Sequence, residues 1–428
     1  MNLPSHLSII NGELRINNLS IIDLAEKYGT PLYIISGDRV KEKYEKLNET
    51  CKKYWKNTLI CYAYKANHIL ALLKLLKNLG AGAEVVSGGE LYAAKKVGVD
   101  SSKIVFNGVS KSINEIRMAI ENKILLLNIE NLGEIDYIKN IVEKQDLTAS
   151  IGVRVNLDVP AETHKYISTG MKIHKFGLTS QDAIKAYKLL MKIRNVEVNG
   201  IHIHIGSQIL SLKPFKEAVL KLIDFCKKVY DKLNLKLKLI DLGGGLGIPY
   251  KDNERELSIQ EYCKSIFPLI TDQIGRIFNE NSTIILEPGR YLVGDAGILV
   301  SRVNYVKEIG GIKWILIDAG MNDLIRPALY NAFHKIILVE KANQEPTEKY
   351  WVGGPICESS DVFAKNYPLP KIKPGDLIAI LNTGAYGISM SSQYNCRPRA
   401  PVIMIENGIA KLVRRRETYQ DIFNCDLI

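Results

Sequence analysis

A lysine at the end of an apolar run is the first residue in this sequence that invites chemistry. Lys65 closes the stretch YAYKAN. It is either a side chain that snorkels from a strand end or an amine of depressed pKa that forms a Schiff base with a carbonyl. His202 and His204 lie two apart in GIHIHIGS, so on a strand they share one face. Such a pair packs in a core, stacks on a flat ring, or ligates a metal. A metal would need further ligands at other strand ends. Only seven histidines exist, at 6, 68, 164, 174, 202, 204 and 334, and the corresponding later run ends in Glu287-Pro-Gly-Arg290. No metal is therefore expected. Gly243-Gly244-Gly245-Leu-Gly247 has Ile248 where a dinucleotide fingerprint needs its third glycine, and no GKS/T follows. It is a tight turn, or a backbone cradle for a single phosphate. Glu287 and Arg290 form a structural ion pair, or else hold a proton on a heteroaromatic nitrogen and grip a carboxylate. Cys357 beside Glu358, Arg326 to Tyr330 (RPALY) and the turn GAYG at 384–387 are further polar islands. Each feature alone is weak. Lysine, stacking histidine, phosphate-binding glycines and a ring-nitrogen carboxylate together describe a pyridoxal phosphate site.

The elements that must position these residues follow from hydrophobic rhythm. Eight short β-branched runs, starting at 59, 82, 103, 124, 150, 200, 237 and 283, alternate with amphipathic helical stretches. That alternation predicts a (β/α)8 TIM-type barrel, in which functional residues gather at the C-terminal strand ends. After about residue 290 helical periodicity fades. Short β-rich runs broken by Gly, Pro and Asn then predict an antiparallel β-rich C-terminal domain. The first residues also read as short strands, with a turn at Asn11-Gly12. The expected division is a barrel over 29–284, with 1–28 plus 285–428 forming the β-domain.

Composition sets outer bounds. The chain has 428 residues, 46% hydrophobic and 24% charged, which suits two or three domains with a substantial core. A net charge of +11 is spread out, and its densest run is only Arg414-Arg415-Arg416, so no nucleic-acid partner is expected. Seven cysteines without a CxxC pair argue against a zinc ribbon or disulfide framework and for a reducing compartment. The start MNLPSHLSIINGELRI lacks a secretory pattern, and no apolar run approaches the ~20 residues that span a bilayer. A soluble cytoplasmic protein without a membrane partner is expected.

The sequence resembles the diaminopimelate decarboxylases, pyridoxal-phosphate enzymes that share a barrel-plus-β-domain fold with alanine racemase and ornithine decarboxylase. The likeness runs from Tyr33 to Tyr386 through YAYKAN, EVVSGGEL, HKYISTG, KFG, HIHIGSQ, DLGGGLGIPY, EPGR, RPALY, GGPICESSD and GAYG. It implies pyridoxal 5'-phosphate carried on Lys65, stacked by His204 and protonated at its ring nitrogen through Glu287. Gly244, Gly245, Gly289 and the backbone of Arg290, helped by Ser207, are implied as the phosphate cradle. Arg290, Arg326 and Tyr330 are implied to hold the substrate's carboxylates, and Tyr386 to touch both cofactor and substrate. Cys357, as catalytic thiol, and Glu358, on the distal amino group, are implied to cross a homodimer interface into a shared active site. The implied reaction is decarboxylation of meso-diaminopimelate at its D-centre to L-lysine, the last step of lysine biosynthesis. The alternative within the same fold is a sister decarboxylase acting on basic amino acids or carboxynorspermidine.

Overall fold

A computed structural model of the chain describes residues 3–159 and 175–428. Eight parallel strands close into a barrel: Thr58–Ala63, Gly82–Val85, Ile104–Phe106, Leu126–Ile129, Ala149–Arg154, Val196–His202, Leu237–Asp241 and Phe278–Leu286. These are the eight runs read from the sequence. Helices cross between the strands, and side-chain oxygens start several of them. Ser87 caps Gly88–Lys96, Ser112 and Glu115 form a reciprocal capping box on Ile113–Glu121, and Ser258 caps Ile259–Thr271. The barrel interior carries a small apolar layer of Cys61, Val105, Leu126, Leu239 and Ile285. Glycine makes room for that layer. A Cβ on Gly200 would lie 2.7 Å from Leu126, and one on Gly152 would lie 2.1 Å from the Asn128 amide oxygen.

The second sheet is built mainly from strands after residue 290. Gly297–Ile309 is its long spine, pairing antiparallel with Ile312–Ile317 and Leu377–Ile380. Two pairings are parallel rather than antiparallel: Ile312–Ile317 with Glu348–Gly353, and Leu32–Ser36 with Val402–Glu406. Leu32–Ser36 lies inside the segment assigned to the barrel from sequence, yet it is an inner strand of this second sheet. Every residue of it is buried, as a strand covered on both faces must be. The N-terminal segment forms its own three-stranded sheet, Leu7–Ile10, Glu13–Ile16 and Leu19–Ser20, turned at Asn11-Gly12 with positive φ at both residues. Leu14, Ile16 and Ile21 share a core with Ile34, Ile298, Ile337 and Ile403 of the second sheet.

Candidate active site

Above the apolar layer the barrel interior turns polar, because the C-terminal strand ends supply Glu84, Asn107, Asn128, His202, Asp241 and Glu287, all buried. One amide bridges two of the acids. Asn107 Nδ2 donates to Glu84 Oε1 at 3.1 Å and to Glu287 Oε1 at 2.6 Å, while its oxygen accepts from Asn128 at 2.8 Å. His202 Nε2 lies 3.2 Å from Glu287 Oε2, and Asp241 converges on the same point. Two buried carboxyls this close cannot both be charged. Burial and the neighbouring Glu287 charge push Asp241 well up, so it keeps its proton. Burial also opposes charge on Glu287, but His202 and Lys65 outweigh it and hold Glu287 below the usual carboxylate range. Glu287 is the ionised member.

Lys65 stands on a 3-10 turn, Tyr64–Ala66, directly after the first barrel strand. The β-domain fixes that turn. Tyr386 N–H donates to the Ala66 carbonyl at 2.8 Å, Ser389 Oγ donates to it at 3.1 Å, and Asn67 Nδ2 donates to the Gly384 carbonyl at 2.9 Å. Tyr386 adopts φ of 59° to do so, a left-handed conformation that a bulky residue rarely takes. Lys65 Nζ contacts Glu84 at 2.9 and 3.1 Å. Of the two readings the sequence left open for Lys65, the depressed amine pKa is not what these surroundings produce. Burial does lower it, but Glu84 and then Glu287 more than offset that and push it above the ordinary lysine range.

His204 follows the sixth strand and accepts the Gly244 N–H at Nδ1, 3.2 Å away. Burial, reinforced by Lys65 and Arg154, drives its pKa well down, so the ring is neutral. Gly244 itself is locked, since a Cβ there would lie 2.2 Å from the Glu287 carbonyl oxygen. Its N–H serves His204; among the described residues, those of Gly245, Gly289 and Arg290 have no acceptor.

A cavity of about 380 Å³ unites Lys65, His204, Ser207, Arg290, Arg326, Tyr330 and Tyr386. A second, of about 410 Å³, shares Lys65 and His204 and adds Glu84, Asn107, His202 and Glu287. Both arginines are buried, and neither makes an ion pair among the described residues. Arg290 donates to the Tyr250 hydroxyl at 2.7 Å and to Ser207 Oγ at 3.2 and 3.4 Å, and it lies 4.8 Å over the Tyr386 ring. Ser207 thus orients a guanidinium.

Cys357 and Glu358 are not brought in. Both are exposed and line neither cavity. HKYISTG lies outside the described residues. The sequence reading missed Glu84, Asn107, Asp241, Tyr250 and His334. The first three had a signal, a polar residue near the C-terminal end of an otherwise apolar barrel run.

The family described as pyridoxal-dependent decarboxylase, pyridoxal binding domain, matches residues 38–294. A diaminopimelate decarboxylase of Aquifex aeolicus is 44% identical over 417 residues, covering 97% of this chain and 96% of that protein. The crystal structure of diaminopimelate decarboxylase from Methanocaldococcus jannaschii superposes with a TM-score of 0.93 at 40% identity, covering 99% of this chain and 98% of that one. The Helicobacter pylori enzyme, solved in complex with L-lysine, gives 0.87 at 38% identity over 94% of this chain and 98% of that one.

Proposed function

Because the chain belongs to the pyridoxal-phosphate-dependent diaminopimelate decarboxylases, we propose that it removes carbon dioxide from the D-centre of meso-2,6-diaminopimelate and leaves L-lysine, completing lysine biosynthesis. It is a carboxy-lyase. The observation that carries the reading is one cavity holding a strand-end lysine, a neutral histidine and two buried arginines that have no carboxylate partner among the described residues. A single arginine would suffice for an amino acid with one carboxylate, so the pair favours a doubly carboxylated substrate over the basic amino acids of sister enzymes.

The residues present fit pyridoxal phosphate. Glu287 is buried yet ionised, as a partner for a protonated ring nitrogen must be. The N–H groups of Gly245, Gly289 and Arg290 are donors without acceptors among the described residues, which suits a phosphate. When bound, the cofactor supplies a carbonyl for the amine and a protonated ring that accepts the electron pair left as carbon dioxide departs. The chain's own work is then specific. Lys65 is the amine that holds the cofactor and yields to the substrate's amine. Neutral His204 offers a flat face without competing for a proton. Glu287 holds the ring proton, and Tyr386 walls the site beside Arg290. Arg290, Arg326 and Tyr330 orient the carboxylates so that one carbon–carboxylate bond stands free to break. A proton returns to the same carbon, from Cys357 or Lys65.

Cys357 and Glu358 support a homodimer with shared sites, because both are exposed on the copy that carries them and lie away from its own cavities. In this reading a second copy places the thiol near the reacting carbon and Glu358 on the distal ammonium. Among the described residues no helix is long and apolar enough to cross a membrane. All seven cysteines are free thiols, which supports a cytoplasmic setting. We assign 29–284, apart from the strand Leu32–Ser36 that joins the second sheet, as the cofactor-binding unit and the remainder as the unit that completes the site. Mixing Lys65→Ala with Cys357→Ala protein tests the shared site. The Lys65→Ala homodimer should be inactive and the Cys357→Ala homodimer impaired, and the mixture should exceed the mean of the two because half of the pairs are hybrids with one intact site, about a quarter of wild-type activity in all; a mixture no more active than that mean contradicts the sharing.

A further inference from the structure

The two buried arginines are held by neutral acceptors, and the arrangement leaves one edge of Arg326 open. Its Nη1 donates to the Tyr250 hydroxyl at 3.0 Å and to His334 Nε2 at 2.8 Å, which uses both hydrogens of that nitrogen. Its Nε and Nη2 find no acceptor among the described residues. That pair of donors is the fork a carboxylate meets bidentately. The guanidinium also lies 4.8 Å over the Tyr250 ring, against which His334 packs edge-on at 5.3 Å.

The chemistry of these contacts fixes His334. Arginine only donates, so Nε2 of His334 must accept, and the ring proton resides on Nδ1. Nδ1 lies 2.8 Å from the Leu381 carbonyl and donates to it. Burial, then the charge on Arg326, brings the His334 pKa down to about 3, so this tautomer persists throughout the working range. A carboxylate in its place would orient Arg326 equally well but cancel the charge the substrate needs. A neutral, tautomer-locked acceptor orients without cancelling.

We propose that His334, acting with Tyr250, is a positioning residue that aims Arg326 at the substrate's distal carboxylate and thereby sets the preference for a doubly carboxylated amino acid. This rests on the function proposed above and deepens it. The discriminating experiment compares two ligands of the cofactor-loaded protein by titration calorimetry. L-lysine carries the distal carboxylate; cadaverine, the same diamine chain, does not. His334→Leu should weaken L-lysine binding roughly ten- to a hundred-fold, the scale of one hydrogen bond to a charged group, and leave cadaverine within about twofold. His334→Gln, which retains an acceptor, should recover part of the lysine affinity. If the leucine variant fails to fold, Tyr250→Phe takes the same comparison. Equal losses for both ligands, or no loss for either, overturn the proposal. Absence of carbon dioxide from meso-diaminopimelate with wild-type protein would instead overturn the parent function, and the lysine-to-cadaverine comparison separates the two failures.

Discussion

Replacing Glu84 by Gln should make Lys65 a faster trap for pyridoxal phosphate at neutral pH. Covalent capture needs the unprotonated amine, and Glu84 at 2.9 Å is the main group holding the proton on Lys65 after burial has worked against it. At an effective dielectric of ~20, two unit charges at that distance attract by about 6 kcal/mol. The Lys65 side chain is 37% exposed, so solvent screening roughly halves this to about 3 kcal/mol. That is about two pK units, or about a hundredfold in free amine wherever the lysine is mostly protonated. The sign is definite. A raised amine pKa means slow capture at low pH and a rate that climbs as pH rises toward that pKa. The variant's curve should be displaced to lower pH. Stopped-flow absorbance of apo-protein mixed with pyridoxal phosphate, from pH 6 to 9, reads both curves. A Glu84→Gln protein that captures the cofactor no faster than wild type at pH 7 would refute the electrostatic reasoning and make Glu84 a proton acceptor in the capture step.

Asp241→Asn should stabilise the protein at neutral pH. Asp241 stays protonated when folded but ionises near pH 4 when unfolded, so folding takes up a proton and stability falls as pH rises above that point; urea unfolding at pH 5 and 8 should show that fall in wild type and lose this contribution in the variant, and identical slopes would contradict it. Asn107→Leu strips the bridge between Glu84 and Glu287 and should cost about 2–4 kcal/mol, measured as a lower urea midpoint. Gly244→Ala forces a Cβ against the Glu287 carbonyl at 2.2 Å. It should displace the turn that serves His204 and weaken cofactor retention on dialysis at least tenfold; retention equal to wild type would show that the turn yields without consequence.

The eight barrel strands were legible because a parallel barrel strand is buried on both faces and reads as a compact apolar run. Site residues at strand ends were legible for the same reason: Lys65, Glu287 and Arg290 interrupt or close such runs. Glu84, at the head of EVVSGGEL, and Asn107 carried that signal too, but neither was singled out. Their roles emerge only when neighbouring strands set them side by side. Leu32–Ser36 could not be assigned from periodicity, since an all-buried strand looks alike in either sheet and its partners lie some 265 and 370 residues further on. Tyr250 and His334 were invisible as a pair for a related reason: 84 positions separate them, and a barrel loop and the β-domain bring them edge-on. Cys357 and Glu358 are exposed on this copy and line neither cavity of the site, so within one chain the fold leaves their proposed work undone.

The central claim is tested most directly by meso-diaminopimelate labelled with carbon-13 in one carboxylate at a time. Pyridoxal-phosphate-loaded protein should release labelled carbon dioxide from the D-centre label only, with one L-lysine formed per carbon dioxide, and Lys65→Ala should release none. Release from the L-centre, or turnover of ornithine or L-lysine in place of diaminopimelate, would contradict the account.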